Sequence, residues 1–550
     1  MAAGMLTCAF STAACAAKEA LVVAPRLNQL GFRPEGFKRF VLAGDADATT
    51  PPAFTIETLD GARMFEARLG TSLHDVTRTT GEHVRTGDFS AFDMPGRYRV
   101  RVDGAVSHSF EIGEGIYAPL VRDAARAFYL IRANTALDDP VTGISHAAGH
   151  SSEAALPVEG MARDLTGGWY NAGDYGKWTH MAAISASHMM WLHELRPVAA
   201  DKLSLAVPQT FPGLPDLLQQ ARWGLEWLLK MQNVDGSVLH KIDSSERYAW
   251  GQPPERDPYP RTAYAASSLD AGNFTAVMLQ ASRVFAPLDR RFAARCGAAA
   301  RRAWRWLEGH PQVLQKDVNY LDFDPRQEVA WGTYAMAAAG EPALAERATA
   351  SLEATGVAPV SWQAPQLLGA MSLARSASAA SDAARVAIVA AAAALADRIN
   401  ADPYGYSANP DDYHWGSNEA ALNAAVLCLF AVELSGQRSF RDAAQKLIDY
   451  VLGCNTLDLS FVTGHGERRV RRPYHWTCRV WGIVMPGWAS GGPNCFLEGV
   501  DPLLKALIDS GTPPARCFVD ACEPNGSWGS NEGQTSENAA LILATGLFGL

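Results

Sequence analysis

Two stretches far apart in the chain carry carboxylates in settings that suit acid–base chemistry. Gly167-Gly-Trp-Tyr-Asn-Ala-Gly-Asp-Tyr-Gly-Lys-Trp178 places four glycines, four aromatic residues and one carboxylate, Asp174, in a loop that runs into a helical pattern. Asn525-Gly-Ser-Trp-Gly-Ser-Asn-Glu-Gly-Gln-Thr-Ser-Glu-Asn538 is a polar loop entering the last helix, with Glu532 and Glu537 five residues apart. Hydrolysis of a glycosidic bond needs two such groups, a carboxyl that protonates the leaving oxygen and a carboxylate that activates water. Each also has a plainer reading: Asp174 closes a turn or caps a helix, and Glu532 sits in a first turn favoured by the helix dipole. Small residues beside Asp174 let a substrate come close.

A third stretch, Ser460-Phe-Val-Thr-Gly-His-Gly-Glu-Arg-Arg-Val-Arg-Arg-Pro-Tyr-His-Trp476, is basic and aromatic. Its Arg468 to Arg472 run reads equally as a solvated face. Tyr413-His-Trp-Gly-Ser-Asn418 and Met485-Pro-Gly-Trp-Ala-Ser-Gly-Gly-Pro-Asn494 add further rings. Rings in a cleft give the flat apolar platform that pyranose faces prefer. Tyr175, Trp415, Tyr474, His475, Trp476 and Trp528 are the expected sugar-binding set.

The elements that must position these loops fall into two blocks. From about Leu21 to Ile112 short extended segments alternate with Gly, Pro and Asp turns, and Arg97-Tyr-Arg-Val-Arg-Val102 puts apolar side chains on one face and arginines on the other. This predicts a small β-sandwich over residues 21–115. Beyond Ile116 the period becomes helical, in eleven segments: Leu120–Arg132, Trp178–Leu195, Asp216–Met231, Asn273–Phe285, Phe292–Leu307, Glu328–Ala339, Glu341–Glu353, Ser381–Ile399, Glu419–Leu434, Ser439–Leu452 and Ser536–Phe548. About 430 residues of helix with almost no strand predict an all-α barrel of helical hairpins over residues 116–550, with the site on the loops at one end.

The 550 residues, 48% apolar and 19% charged, exclude a disordered or fibrous chain. A net charge of −10 (48 Lys+Arg against 58 Asp+Glu) disfavours nucleic acid as a partner. No run reaches the roughly 18 apolar residues of a membrane span; the longest, Val386 to Ala396, is Ala-rich and short. Met5 to Ala17 is apolar and ends in small residues, like the end of a secretory leader without its basic start, so residues 1–20 are expected to be a leader remnant and the protein secreted or periplasmic. Cys15 faintly resembles a lipid-attachment site, against which stands a chance cysteine in a discarded leader. Cys517 and Cys522 either pair or remain two buried thiols.

Taken in order, the motifs resemble glycoside hydrolase family 9, the inverting cellulase family, preceded by its immunoglobulin-like domain. Asn28-Gln-Leu-Gly-Phe and Pro95-Gly-Arg-Tyr-Arg-Val look like that amino-terminal domain. Gly-Gly-Trp-x-x-Ala-Gly-Asp-Tyr-Gly-Lys, Trp-Gly-Ser-Asn, Ser-Phe-Val-Thr-Gly-x-Gly, Gly-Gly-Pro-Asn and Asn-Glu-x(5)-Asn-Ala look like the catalytic domain. The resemblance implies an (α/α)6 barrel, Asp174 as general base and Glu532 as general acid. It also implies departures. The Asp that helps hold the attacking water in the family is Asn171 here, which keeps an acceptor and adds donors but loses the charge. The family's His and Arg of Pro-His-x-Arg are Tyr474 and Trp476, with His475 between them; a stacking surface replaces a charged fork. Gln534 and Glu523 also differ from the family pattern around the acid. A structural zinc held by two Cys and two His would fall on Ala133, Gly149, His150 and Tyr170, and Ala and Gly cannot coordinate, so that site is expected to be absent. A structural calcium is compatible with the resemblance, with no ligand set identifiable in the sequence, and no cofactor is required. The expected activity is inverting hydrolysis of β-linked glucan. A different β-glycan or amino-sugar oligosaccharide, or a non-catalytic glycan-binding role, are the alternatives.

Overall fold

A computed structural model describes residues 24–44, 50–244, 251–315, 322–497 and 499–550. The leader-like stretch with Cys15 lies outside the described residues. Nine strands build the amino-terminal sandwich: β1 (Gly31–Phe32), β2 (Arg39–Gly44), β3 (Ala53–Thr58), β4 (Arg63–Arg68), β5 (His74–Asp75), β6 (His83–Asp88), β7 (Gly96–Val102), β8 (Ala105–Val106) and β9 (Phe110–Ile112). One sheet runs β1-β9-β7-β3-β4 with β8 beside β7, and the other β2-β6-β5. All pairs are antiparallel except β1 with β9, where Gly31 faces Glu111. In β7, Tyr98, Val100 and Val102 are buried and Arg97, Arg99 and Arg101 exposed, the alternation a half-solvated strand requires. Between the sheets Phe32 meets Phe89 edge-on at 5.2 Å and Phe40 meets Phe54 at 4.9 Å, geometry that aromatic quadrupoles favour.

Twelve helices then alternate between an outer and an inner layer. Outer α1 (Ala118–Leu130) precedes inner α2 (Thr179–Leu195), α3 (Asp216–Met231) precedes α4 (Ser268–Phe285), and α5 (Arg290–Gly309) precedes α6 (Arg326–Ala338). Outer α7 (Ala345–Thr355) precedes inner α8 (Gln366–Ala374), and α9 (Ser381–Ala401) precedes α10 (Ser417–Ser435). Outer α11 (Arg438–Val451) precedes, after a long excursion containing the short α12 (Trp476–Trp481), inner α13 (Thr535–Gly549). The inner helices are buried almost all round; α13 has no exposed residue, while α5 and α11 bury one stripe each. Inner neighbours touch in the series α10, α13, α2, α4, α6, α8, which makes an (α/α)6 barrel. Glycine sets one spacing: a Cβ on Gly272 of α4 would lie 2.6 Å from the Glu328 carbonyl of α6. Helix α10 is also long and apolar enough to cross a membrane, yet it is an inner barrel helix, largely buried by its neighbours.

Buried polar contacts join the two blocks. Asn28 Nδ2 donates to the Tyr117 hydroxyl at 2.9 Å and to Asp449 Oδ1 at 2.8 Å. Glu82 of the sandwich accepts from Arg26 at 2.9 Å, from the Tyr404 hydroxyl at 2.8 Å, from Thr456 at 3.1 Å and from Arg516. The exposed Arg468, Arg471 and Arg472 form a solvated face, with Arg472 paired to Glu523 at 2.6 Å. Cys517 and Cys522 are separate thiols; Cys517 Sγ contacts the Thr512 and Pro513 carbonyls, and Cys522 the His475 carbonyl.

Candidate active site

The loop before α2 is anchored from behind. Lys177, with no exposed surface, donates from Nζ to the carboxylate of Glu153 and to the carbonyls of Leu165 (3.0 Å) and Gly167 (2.9 Å). Arg261 Nε donates to the other oxygen of Glu153 at 2.8 Å, and its Nη2 to the Tyr175 carbonyl at 2.6 Å. Burial alone would push the Glu153 carboxyl upward, but Lys177 and Arg261 outweigh it and hold it below the usual carboxylate range. Burial also brings Lys177 down to about 8 despite Glu153. Breaking one member of such a buried triad leaves an uncompensated charge, so the loop has little freedom to shift.

On this footing Asp174 is half-buried, and its Oδ1 accepts from Gly176 N at 3.0 Å, so the turn-closing reading is also correct. Glu532 follows the short helix Trp528–Asn531 and accepts from the Gly173 N–H at 2.8 Å through Oε1. A Cβ on Gly173 would lie 2.6 Å from that oxygen and 2.7 Å from the Tyr474 carbonyl, so only glycine admits the approach. Arg479 of α12 donates from Nη2 to the Gly173 carbonyl and stacks on Tyr474, 5.1 Å from the ring centre. Burial, then the Asp174 charge, raise the Glu532 carboxyl to about 8, against the pull of the Gly173 N–H and Arg479.

A cavity of about 740 Å³ opens over these groups, lined among others by Asn171, Asp174, Trp178, Trp362, Trp415 and Glu532. Of the expected sugar-binding rings, Trp415 lines it and is 42% exposed. The others do not line it. Tyr175, His475 and Trp476 are almost wholly buried, and Trp476 sits in a packed aromatic cluster with Tyr170 (5.8 Å), Tyr175 (5.6 Å) and Trp481 (5.7 Å). Tyr474 is buried against Arg479 and Trp528, and Trp528 donates from its indole N–H to the Gly499 carbonyl at 3.1 Å. The buried rings support the loops from behind, and Trp178, counted in the Asp174 loop but not in the expected sugar-binding set, together with Trp362, which the sequence reading passed over, supplies the cleft's aromatic wall.

Asn171 reaches the cleft with 2% exposure. Its Oδ1 accepts from the Thr535 hydroxyl at 2.6 Å, and its Nδ2 has no hydrogen-bond partner in the protein. The acceptor expected to hold water is therefore engaged, and the amide offers donors instead. Sequence reasoning also missed Asp243 and Glu419, and it named Glu537 without a role. Glu419 lines the cleft and accepts from Gln534 at 2.7 Å. Glu537 is wholly buried beside it, and burial plus the Glu419 charge raise its carboxyl well above the ordinary range.

The resemblance would place a zinc at Ala133, Gly149, His150 and Tyr170. Ala133 and Gly149 offer no ligand, and His150 is engaged at both nitrogens, by the Tyr170 hydroxyl at 2.7 Å and Asp257 at 3.1 Å. Elsewhere, His180, His240 and Asp270 are buried with donor atoms within 4.8 Å of one another, residue types that can hold a cation. His240 Nδ1 and Asp270 there hydrogen-bond each other at 2.9 Å.

A helical barrel in which two carboxyls, Asp174 and Glu532, line one aromatic-walled cleft suits glycoside hydrolysis, and acid–base hydrolysis needs no cofactor. The family model for glycosyl hydrolase family 9 matches residues 117–545 and that for the cellulase N-terminal ig-like domain residues 24–107. The chain belongs to glycosyl hydrolase family 9. It is 30% identical to endoglucanase C of Cellulomonas fimi over 94% of its own length and 51% of the relative's, so it spans about half of that protein. It is 27% identical to a cellodextrinase of Butyrivibrio fibrisolvens, covering 94% of this chain and 98% of that one. The crystal structure of a metagenome-derived glycoside hydrolase family 9 endoglucanase superposes with a TM-score of 0.87 at 31% identity, covering 96% of this chain and 99% of that one.

Proposed function

We propose that the protein hydrolyses β-1,4-linked glucan or its oligosaccharides with inversion. Glu532 protonates the glycosidic oxygen as the bond from the anomeric carbon to that oxygen breaks. Asp174 takes a proton from the water whose oxygen bonds to the anomeric carbon from the opposite face. The observation that carries the reading is Glu532 itself, raised to about 8 beside the cleft and so holding at neutral pH the proton an acid must give. Trp415 is the platform for a sugar ring, and Asn171 donates to the water or to a substrate hydroxyl. The relatives' names support glucan as the substrate. We further propose that the protein is exported, on the strength of the leader-like stretch, and that no zinc is held around His150, a reading supported by its engagement with Tyr170 and Asp257.

The test is reducing-end release from β-linked glucans, xylans, mannans, chitosans and their oligosaccharides by wild type, Glu532→Gln and Asp174→Asn, with the product anomer followed by NMR. Release from a β-1,4-glucan as the α-anomer, reduced roughly a thousandfold in each variant, is the expected result. Retention of the β-anomer overturns inversion, and binding without release overturns the hydrolytic role.

A further inference from the structure

Asp243 lies on a three-stranded sheet that also contains the strand leaving the Asp174 loop. Lys177 pairs with Ile242 and Trp178 with Lys241, so Asp243 falls beside the turn that Asp174 closes. Gly176 marks the closeness: a Cβ there would be 3.3 Å from Asp174 Oδ1 and 3.6 Å from Asp243 Cγ. Two carboxyls thus face each other across a residue that has no side chain. Lys241 Nζ lies 3.3 Å from Asp243 Oδ2, and Arg261 Nη1 lies 3.6 Å from Oδ1, which also accepts from Ser244 N at 2.8 Å. The Asp243 side chain keeps 18% of its surface open.

Lys241 and Arg261 already have other engagements. Lys241 Nζ sits 4.0 Å over the Trp178 ring, and Arg261 is bound to Glu153. Neutralising these cations does not by itself require a carboxyl facing Asp174, where like charges oppose each other. Burial and the Asp174 charge together push Asp243 up to about 6, against Lys241 and Arg261. At position 171, meanwhile, the side-chain oxygen already accepts from Thr535, the amide nitrogen has no partner, and the residue carries no negative charge with which to draw a proton from water.

We infer that Asp243 is the second carboxylate of the base: with Asp174 it accepts the hydrogens of the attacking water, a task for which the uncharged Asn171 is poorly suited. This rests on Asp174 being the general base. In the step itself the water gives one proton to Asp174 as its oxygen bonds to the anomeric carbon, and Asp243 accepts a hydrogen bond from the remaining O–H.

Four enzymes test it: Asp243→Asn, Asn171→Asp, the double variant and Asp174→Asn, each assayed on a cello-oligosaccharide against pH. Asp243→Asn is expected to lower kcat at least tenfold with KM within about twofold. The double variant is expected to recover most of the lost kcat, since Asn171→Asp returns a carboxylate beside the water. A purely structural Asp243, there to hold Lys241 and Arg261, predicts no rescue from position 171, which overturns the inference. Unchanged kcat in Asp243→Asn overturns it too, with Asp174→Asn inactive in the same experiment. An active Asp174→Asn instead overturns the assignment of the base.

Discussion

The alkaline limb of activity is the most demanding expectation, because it belongs to one proton on one carboxyl. Glu532 is raised from an ordinary 4.5 to about 8, first by burial and then by Asp174. At pH 7 a carboxyl titrating at 8 is protonated in about nine molecules of ten, whereas one at 4.5 is protonated in about three of a thousand, a difference near 300-fold in competent enzyme. The sign follows from the proton's role: kcat/KM falls as pH rises through the value at which the free enzyme's Glu532 ionises. Initial rates on a soluble cello-oligosaccharide between about pH 5 and 10 should give an alkaline limb near 8. Arg479, whose charge favours ionised Glu532, supplies a second arm: Arg479→Gln should move the limb upward while lowering kcat, because the Gly173 carbonyl loses its donor. A wild-type limb at pH 5–6, or a downward shift in Arg479→Gln, would refute the argument that burial and Asp174 keep the acid protonated.

Three further outcomes follow from groups outside the acid–base pair. Glu537, raised well above its ordinary value by burial and then by Glu419, is stabilising only where the unfolded chain is also protonated, below about 4.5; its contribution is lost as pH rises toward its folded value. Glu537→Gln should therefore stabilise the protein more at pH 7 than at pH 5 in urea melts. Glu82→Ala should cost ~3 kcal/mol and separate the melting of sandwich and barrel in calorimetry, because Arg26 and Arg516 lose their shared acceptor. Trp415→Ala should raise KM on oligosaccharides about fivefold with little change in kcat, the loss of one exposed stacking face.

Much of this architecture could be read from residue patterns, and the exceptions have physical causes. Alternation in Arg97–Val102 and helical spacing in Asp216–Met231 identify half-buried elements because one face of each meets water. Inner helix α8, Gln-Leu-Leu-Gly-Ala-Met-Ser-Leu-Ala, escaped notice because all nine residues are buried and no period survives. Asp174 and Glu532, which line one cleft, stand out in the sequence because Gly-rich, aromatic-rich loops around a carboxylate are rare. The rings of Tyr175, Tyr474 and Trp476 looked like cleft residues for the same reason, yet the loops are long enough to pack against one another and bury them. Asp243 carries no local signal at all; only the pairing of Lys177 with Ile242 brings it to Asp174.

The hydrogen bond from Gly173 to Glu532 reaches beyond charge. Glu532 and Asp174 are separated by 358 positions in sequence, yet one is tethered to the backbone of the residue immediately preceding the other. The gap across which acid and base must work is therefore measured off by a single stretch of main chain, as by a ruler. Any shift of that stretch moves both carboxyls, and a side chain at 173 would be felt as a change of length between them.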